Sequence, residues 1–173
     1  MKTYSNRSGF TLIEVIAILV IMVIISAVAL TRLTSSQNNL IAATDTLTSH
    51  LRLAQARAMS TSADNISALS VWGVRFVSAT QYHLFYCADA NACAPAANQT
   101  AFPGGSIIMD LTKQGVQVTN GALVLSFDRF GTPYTDALAT LTTPLASQLT
   151  LTLKDNNGNT RTINITPQTG MIK

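Results

Sequence analysis

One carboxylate stands where a carboxylate is most costly. Glu14 is the only glutamate of the 173-residue chain, and it heads an almost unbroken apolar run that ends at Leu30. A charge beside the hydrocarbon of a bilayer is strongly disfavoured, so it marks a function and a partner. The other seven acidic residues are aspartates, all beyond position 40. Finding the partner of Glu14 therefore largely decides what the protein does.

The remaining reactive side chains offer less. Cys87 and Cys93 enclose the short polar loop Ala-Asp-Ala-Asn-Ala. In an exported protein so close a pair most simply forms a disulfide that pins the loop, with two free thiols as the alternative. His50 and His83 lack ligand-like spacing to the cysteines, and no serine or cysteine motif accompanies either one. They read as packed histidines, and the chain is not expected to be an enzyme or to hold a cofactor or metal. Asp155-Asn156-Asn157-Gly158-Asn159 has some features of a calcium loop, but its glycine falls two places early and Thr166 stands where a bidentate glutamate belongs. A hairpin turn explains it better. The Asn-x-Ser/Thr tripeptides at Asn65, Asn98 and Asn164 are incidental in a bacterial exported protein, and Trp72 reads as core.

The elements that must position Glu14 begin with a basic leader. Residues 1–9 carry Lys2 and Arg7 and no acid. Positive charge ahead of an apolar segment keeps that end in the cytoplasm and sends the rest of the chain across the membrane. From Phe10 to Leu30 the apolar stretch is about 21 residues, roughly 31 Å of helix and enough to span a bilayer. Cleavage at the small-residue pattern Ala27-Val28-Ala29 would release a secreted, β-rich binding protein, but leaves the glutamate without a purpose. Cleavage between Gly9 and Phe10 would keep the helix on the mature chain.

Gly9-Phe10-Thr11-Leu12-Ile13-Glu14-Val15 closely resembles the processing site of type IV prepilins and type II secretion pseudopilins. The resemblance implies that prepilin peptidase cuts after Gly9 and methylates the amine of Phe10. It also implies that Glu14 serves assembly, meeting the new amine of a neighbouring subunit so that each charge offsets the other's desolvation. The implied partners are the peptidase, other pilin or pseudopilin subunits, an inner-membrane assembly platform and membrane lipid.

Beyond the membrane run, Leu33, Leu40 and Leu47 recur every seven residues, and Leu51, Ala54 and Ala58 continue the stripe. Such a helix packs on its own sheet or forms a coiled-coil seam, and the first is favoured. Thr34-Ser35-Ser36-Gln37-Asn38-Asn39 is a weak helix former, where a bend or loosening is expected. After Ala63 the pattern changes to strands. These are expected over 71–77 and 81–86 as a hairpin, then 106–111, 116–119, 123–127, and a second hairpin of 149–153 with 160–166. Segments 87–105 and 131–147 read as loops. The expected organisation is a leader at 1–9, a transmembrane helix at 10–31, its amphipathic continuation at 32–62 and a periplasmic β-rich domain at 63–173. Its class is α+β, a long helix on an antiparallel β domain.

The order Phe127-Asp128-Arg129-Phe130-Gly131, hairpin, Gly170-Met171-Ile172 resembles the H-type minor pseudopilins and related minor pilins of type IV and mannose-sensitive haemagglutinin pili. Some minor pilins of that branch bind DNA through arginines near the C-terminal strand. Here the net charge of +3 resides in the leader and helix, because six basic residues face six aspartates from Ala63 onward. The last five residues hold one cation, Lys173. Phosphate binding needs several cations together, so nucleic acid is not an expected partner.

Overall fold

The computed structural model describes residues 11–61 and 70–173, the side chains of 29–35 excepted. Helix α1 spans Leu12–Thr61 and continues without a break through 34–39, where loosening was expected. The chain divides into two units between Ser35 and Ser36.

In the first unit the described side chains from Leu12 to Val28 are exposed on every face of the helix. A helix that is apolar all round cannot be stable facing water and requires lipid or other helices around it. Among the described residues no helix is long and apolar enough to cross a membrane. The span expected at 10–31 extends past those described apolar side chains at both ends.

In the second unit α1 buries Leu40, Ala43, Leu47, Leu51, Ala54 and Ala58. The three- and four-residue spacing places them on one stripe. That stripe joins Val74, Phe76, Tyr82, Leu84, Leu125, Leu151 and Ile163 in one core, so the helix packs on its own strands. Full burial of a leucine such as Leu47 contributes about 1.5–3 kcal/mol. Leu33, the first member expected of the stripe, lies outside the described side chains.

Two antiparallel sheets face the helix. The first contains β1 (Val71–Phe76), β2 (Gln81–Cys87), β3 (Gln99–Thr100), β4 (Ile108–Asp110), β6 (Leu123–Phe127) and β7 (Pro133–Tyr134). Its order is β3-β2-β1-β6-β7, with β4 also on β2. β1 and β2 form the expected hairpin, with Phe76 opposite Tyr82 and Val71 opposite Cys87. The second sheet is β5 (Val116–Val118), β8 (Leu149–Asp155) and β9 (Thr160–Ile165), in the order β5-β8-β9. In the β8–β9 hairpin Leu151, Leu153, Ile163 and Ile165 are buried.

Two corrections concern the supposed loops. Segment 87–105 contains β3 and a 3-10 turn at Ala90–Ala92, and segment 131–147 contains β7. Two-residue strands are too short to produce a periodicity, so pairing with β2 and β6 creates them and local sequence does not. The strand expected over 106–111 is also shorter, at Ile108–Asp110.

Candidate functional site

Glu14 lies in the first turn of α1 and is exposed. Thr11 precedes the helix. Its carbonyl accepts from the N–H of Glu14 at 3.1 Å and of Val15 at 3.2 Å, and its Oγ1 faces the Glu14 N–H at 3.4 Å. Thr11-x-x-Glu14 thus has the spacing of a capping box, and a carboxylate here also favours the positive end of the helix dipole. Within the apolar stretch, Ser26 Oγ donates to Met22 O at 2.7 Å, which satisfies its hydroxyl inside the helix. Gly9 and Phe10, the residues expected to be processed, lie outside the described residues.

The second assembly of interest joins the two ends of the later resemblance. Gln55, on α1, presents Nε2 to Gly131 O at 3.0 Å, Gly170 O at 3.1 Å and Thr169 O at 3.2 Å. One helical amide therefore meets both the Phe127-Asp128-Arg129-Phe130-Gly131 segment and the C-terminal turn. One turn earlier, Arg52 Nη2 donates to Ile172 O at 3.0 Å. Gly170 has φ +61°, and a Cβ there would collide with Gly131 O. Gly131 has φ +80°, and a Cβ would lie 3.2 Å from Met59 Sδ. Both glycines suit the left-handed turn, and Gly170 is required for close approach as well, whereas at Gly131 only the ends of the Gln55 and Met59 side chains crowd the site. Asp128 Oδ1 shapes the first turn by accepting from Phe130 N at 2.9 Å and Thr132 N at 2.8 Å. Ile172 bridges to Ile165, so the terminal strand expected at Gly170-Met171-Ile172 is a single bridge on β9.

Sequence reading did not single out Gln55. Its only signal was a polar residue flanking the buried positions Leu51, Ala54 and Ala58, which is common on helices. Ser36 was also missed. Its Oγ donates to Asp155 Oδ2 at 2.8 Å, tying α1 to the turn of the second hairpin. Asp155 accepts further bonds from Asn157 N at 2.9 Å and from Asn159 N and Nδ2, both at 2.8 Å. Burial raises its pKa, but the side chains of Asn159 and Ser36 and the two backbone donors outweigh that, and the net shift is downward.

Cys87 and Cys93 form a disulfide with Cα atoms 5.3 Å apart. Together with Val71, Phe85, Ala90, Val124 and Ala139 they build a second small core on the face of the first sheet turned away from α1. Both histidines are packed. His50 Nδ1 meets Tyr82 Oη at 3.0 Å, and its ring stacks on Phe102 at 4.1 Å. His83 Nε2 meets Pro95 O at 2.9 Å, so that nitrogen carries the proton, and Nδ1 is buried with no hydrogen-bond partner. Burial lowers the pKa of His50, and it lowers that of His83 with Arg75 adding to the effect against the Pro95 carbonyl. Burial pushes the Tyr82 phenol upward. Trp72 is half-buried, donates Nε1–H to Thr61 Oγ1 at 2.9 Å and lies under the Arg57 guanidinium at 4.9 Å. The cations Arg52, Arg161 and Lys173 border one groove, together with Asp45. The tail is thus less isolated in charge than its sequence suggested.

Residues 4–30 match the family of the prokaryotic N-terminal methylation motif. No curated protein and no solved structure matches the chain. The matched motif is of the type IV pilin- and pseudopilin-like kind, which prepilin peptidase processes and which leads to assembly with other pilin-type subunits. It implies anchoring in the inner membrane before assembly, and it marks a structural protein rather than an enzyme. With the helix of the second unit packed on antiparallel sheets, the architecture is α+β and pilin-like.

Proposed function

We propose that this chain is a minor pilin or pseudopilin, incorporated at low copy near the tip of a type II secretion pseudopilus or type IV pilus. The observation that carries the reading is the match of residues 4–30 to the methylation motif, with Glu14 in the first turn of α1. In this reading prepilin peptidase cuts after Gly9 and methylates Phe10. The apolar helix over 10–31 then anchors the subunit in the inner membrane, and the domain from 63 lies in the periplasm. During assembly the helix exchanges lipid for neighbouring helices, and Glu14 pairs with the Phe10 amine of an adjacent subunit. A pair of opposite charges tolerates the apolar layer where a single charge does not. The Gln55 contacts support the H-type branch, because they unite the Phe127–Gly131 segment with Gly170.

The mass and first residue of the mature protein test this reading. N-methylated Phe10 is the expected result. A chain beginning at Leu30 would make it a secreted β-rich protein, and one beginning at Met1 would make it an uncleaved anchor. Either of these would overturn the proposal.

A further inference from the structure

Strand β9 is the edge of its sheet, and only half of its outer side is occupied. Its inner side pairs with β8 from Thr160 to Ile165. On the outer side Asn164 and Lys173 exchange two backbone hydrogen bonds of 2.9 Å, and Thr166 N–H donates to Met171 O at 3.0 Å. Backbone groups of alternate residues point to the same edge of a strand, so the outward series Thr166 and Asn164 continues to Thr162 and Thr160. Thr160, Arg161 and Thr162 are exposed, and among the described residues nothing pairs with this half of the edge.

A groove of about 380 Å³ runs beside the open half, between Asp45, Ser49 and Arg52 of α1 and Arg161, Thr162 and Lys173. A second hollow of about 350 Å³ continues past Arg161 to Gln37 and Ile41. Arg161 shares a strand face with Ile163 and Ile165, which are buried, yet it is itself exposed toward the groove. Three cations face one carboxylate, and among the described residues none of the three is ion-paired. A charge turned inward at an edge deters unwanted pairing, and it becomes an attraction for a strand of opposite sign.

We infer that the open half of β9 accepts an extended, acidic segment of a partner polypeptide by strand addition, antiparallel to β9 and in line with Met171–Lys173. Backbone pairing with Thr160 and Thr162 supplies the docking, and Arg161, Lys173 and Arg52 select acidic side chains. A polypeptide fits better than a nucleic acid because the edge offers both N–H and C=O groups, which a second backbone can pair and a phosphate chain cannot. A second copy of this chain fits poorly, because its aspartates are scattered and, among the described residues, no strand holds two. The inference stands whether or not the protein enters a filament.

The test uses the full chain in detergent micelles and a labelled peptide of alternating glutamate and valine. Saturable binding is expected, with slowed amide exchange at Thr160 and Thr162. Arg161→Glu should weaken binding about tenfold or more. Thr162→Pro removes only an outward N–H, which an edge strand tolerates, and should abolish both binding and the slowed exchange at the remaining Thr160 amide. The same peptide with its edge amides N-methylated should fail to bind wild-type protein, which tests strand addition without any substitution. Equal binding of a lysine–valine peptide, or unchanged exchange at the two amides, would overturn the inference. So would tight binding of a single-stranded oligonucleotide that Thr162→Pro leaves intact, because the groove would then be a phosphate site.

Discussion

Replacing Gln55 tests whether one helical amide holds the domain's two distant glycine turns together. Its two N–H groups serve three carbonyl oxygens at 3.0–3.2 Å, from Gly131, Thr169 and Gly170. A hydrogen bond of this kind contributes about 1 kcal/mol net, and a half-buried carbonyl left unpaired adds to its loss. Gln55→Ala should therefore cost about 2–3 kcal/mol. With a urea dependence of about 2 kcal/mol per molar, the unfolding midpoint should fall by about 1 M or slightly more. The single tryptophan, Trp72, packs against the end of α1 through Thr61 and Arg57 and reports undocking by its fluorescence. Gln55→Glu is the sharper variant, because it sets carboxylate oxygens against three carbonyls and should destabilise more than Gln55→Ala. Unchanged midpoints in both variants would refute the clamp.

Two further predictions concern the domain. His50 and His83 have folded pKa values below their usual one, so they stay neutral when folded while the unfolded chain takes up protons below about pH 6.5. Their contribution is complete above that pH and is lost as the pH falls through it, so melting temperature should drop between about pH 7 and 5. A flat or rising profile would contradict the assignment. The Cys87–Cys93 disulfide closes a loop of sequence separation 6, for which chain entropy gives about 2 kcal/mol. The double serine variant should melt several degrees lower with the β1–β2 pairing intact by hydrogen exchange, and an equal melting temperature would show that the loop does not need the bond.

Much of this architecture is legible in local sequence because its periodicity is strong. The stripe from Leu40 to Ala58 and the alternation of Leu149–Leu153 each follow from one face being buried. The β1–β2 hairpin is equally clear from its β-rich runs. What local sequence could not reveal depends on residues far apart. β3 and β7 exist only through pairing with β2 and β6. Gln55 and Ser36 gain their meaning from partners more than 75 residues away. The clustering of Arg52, Arg161 and Lys173 likewise arises from β9 lying beside α1, whereas the sequence shows each cation alone. At the N-terminus the motif was fully readable, because its signal is a short run of residue types with a charge at a fixed place.

Glu14→Ala tests the proposed function most directly. The substitution removes one charge from the apolar layer and leaves the neighbour's amine uncompensated, at a cost of about 3 kcal/mol or more. Membrane insertion, cleavage after Gly9 and the folded domain should be preserved, while incorporation into the filament falls about 100-fold beside a wild-type copy in the same cells. Assembly of the variant at the wild-type level would contradict the pairing of Glu14 with the Phe10 amine.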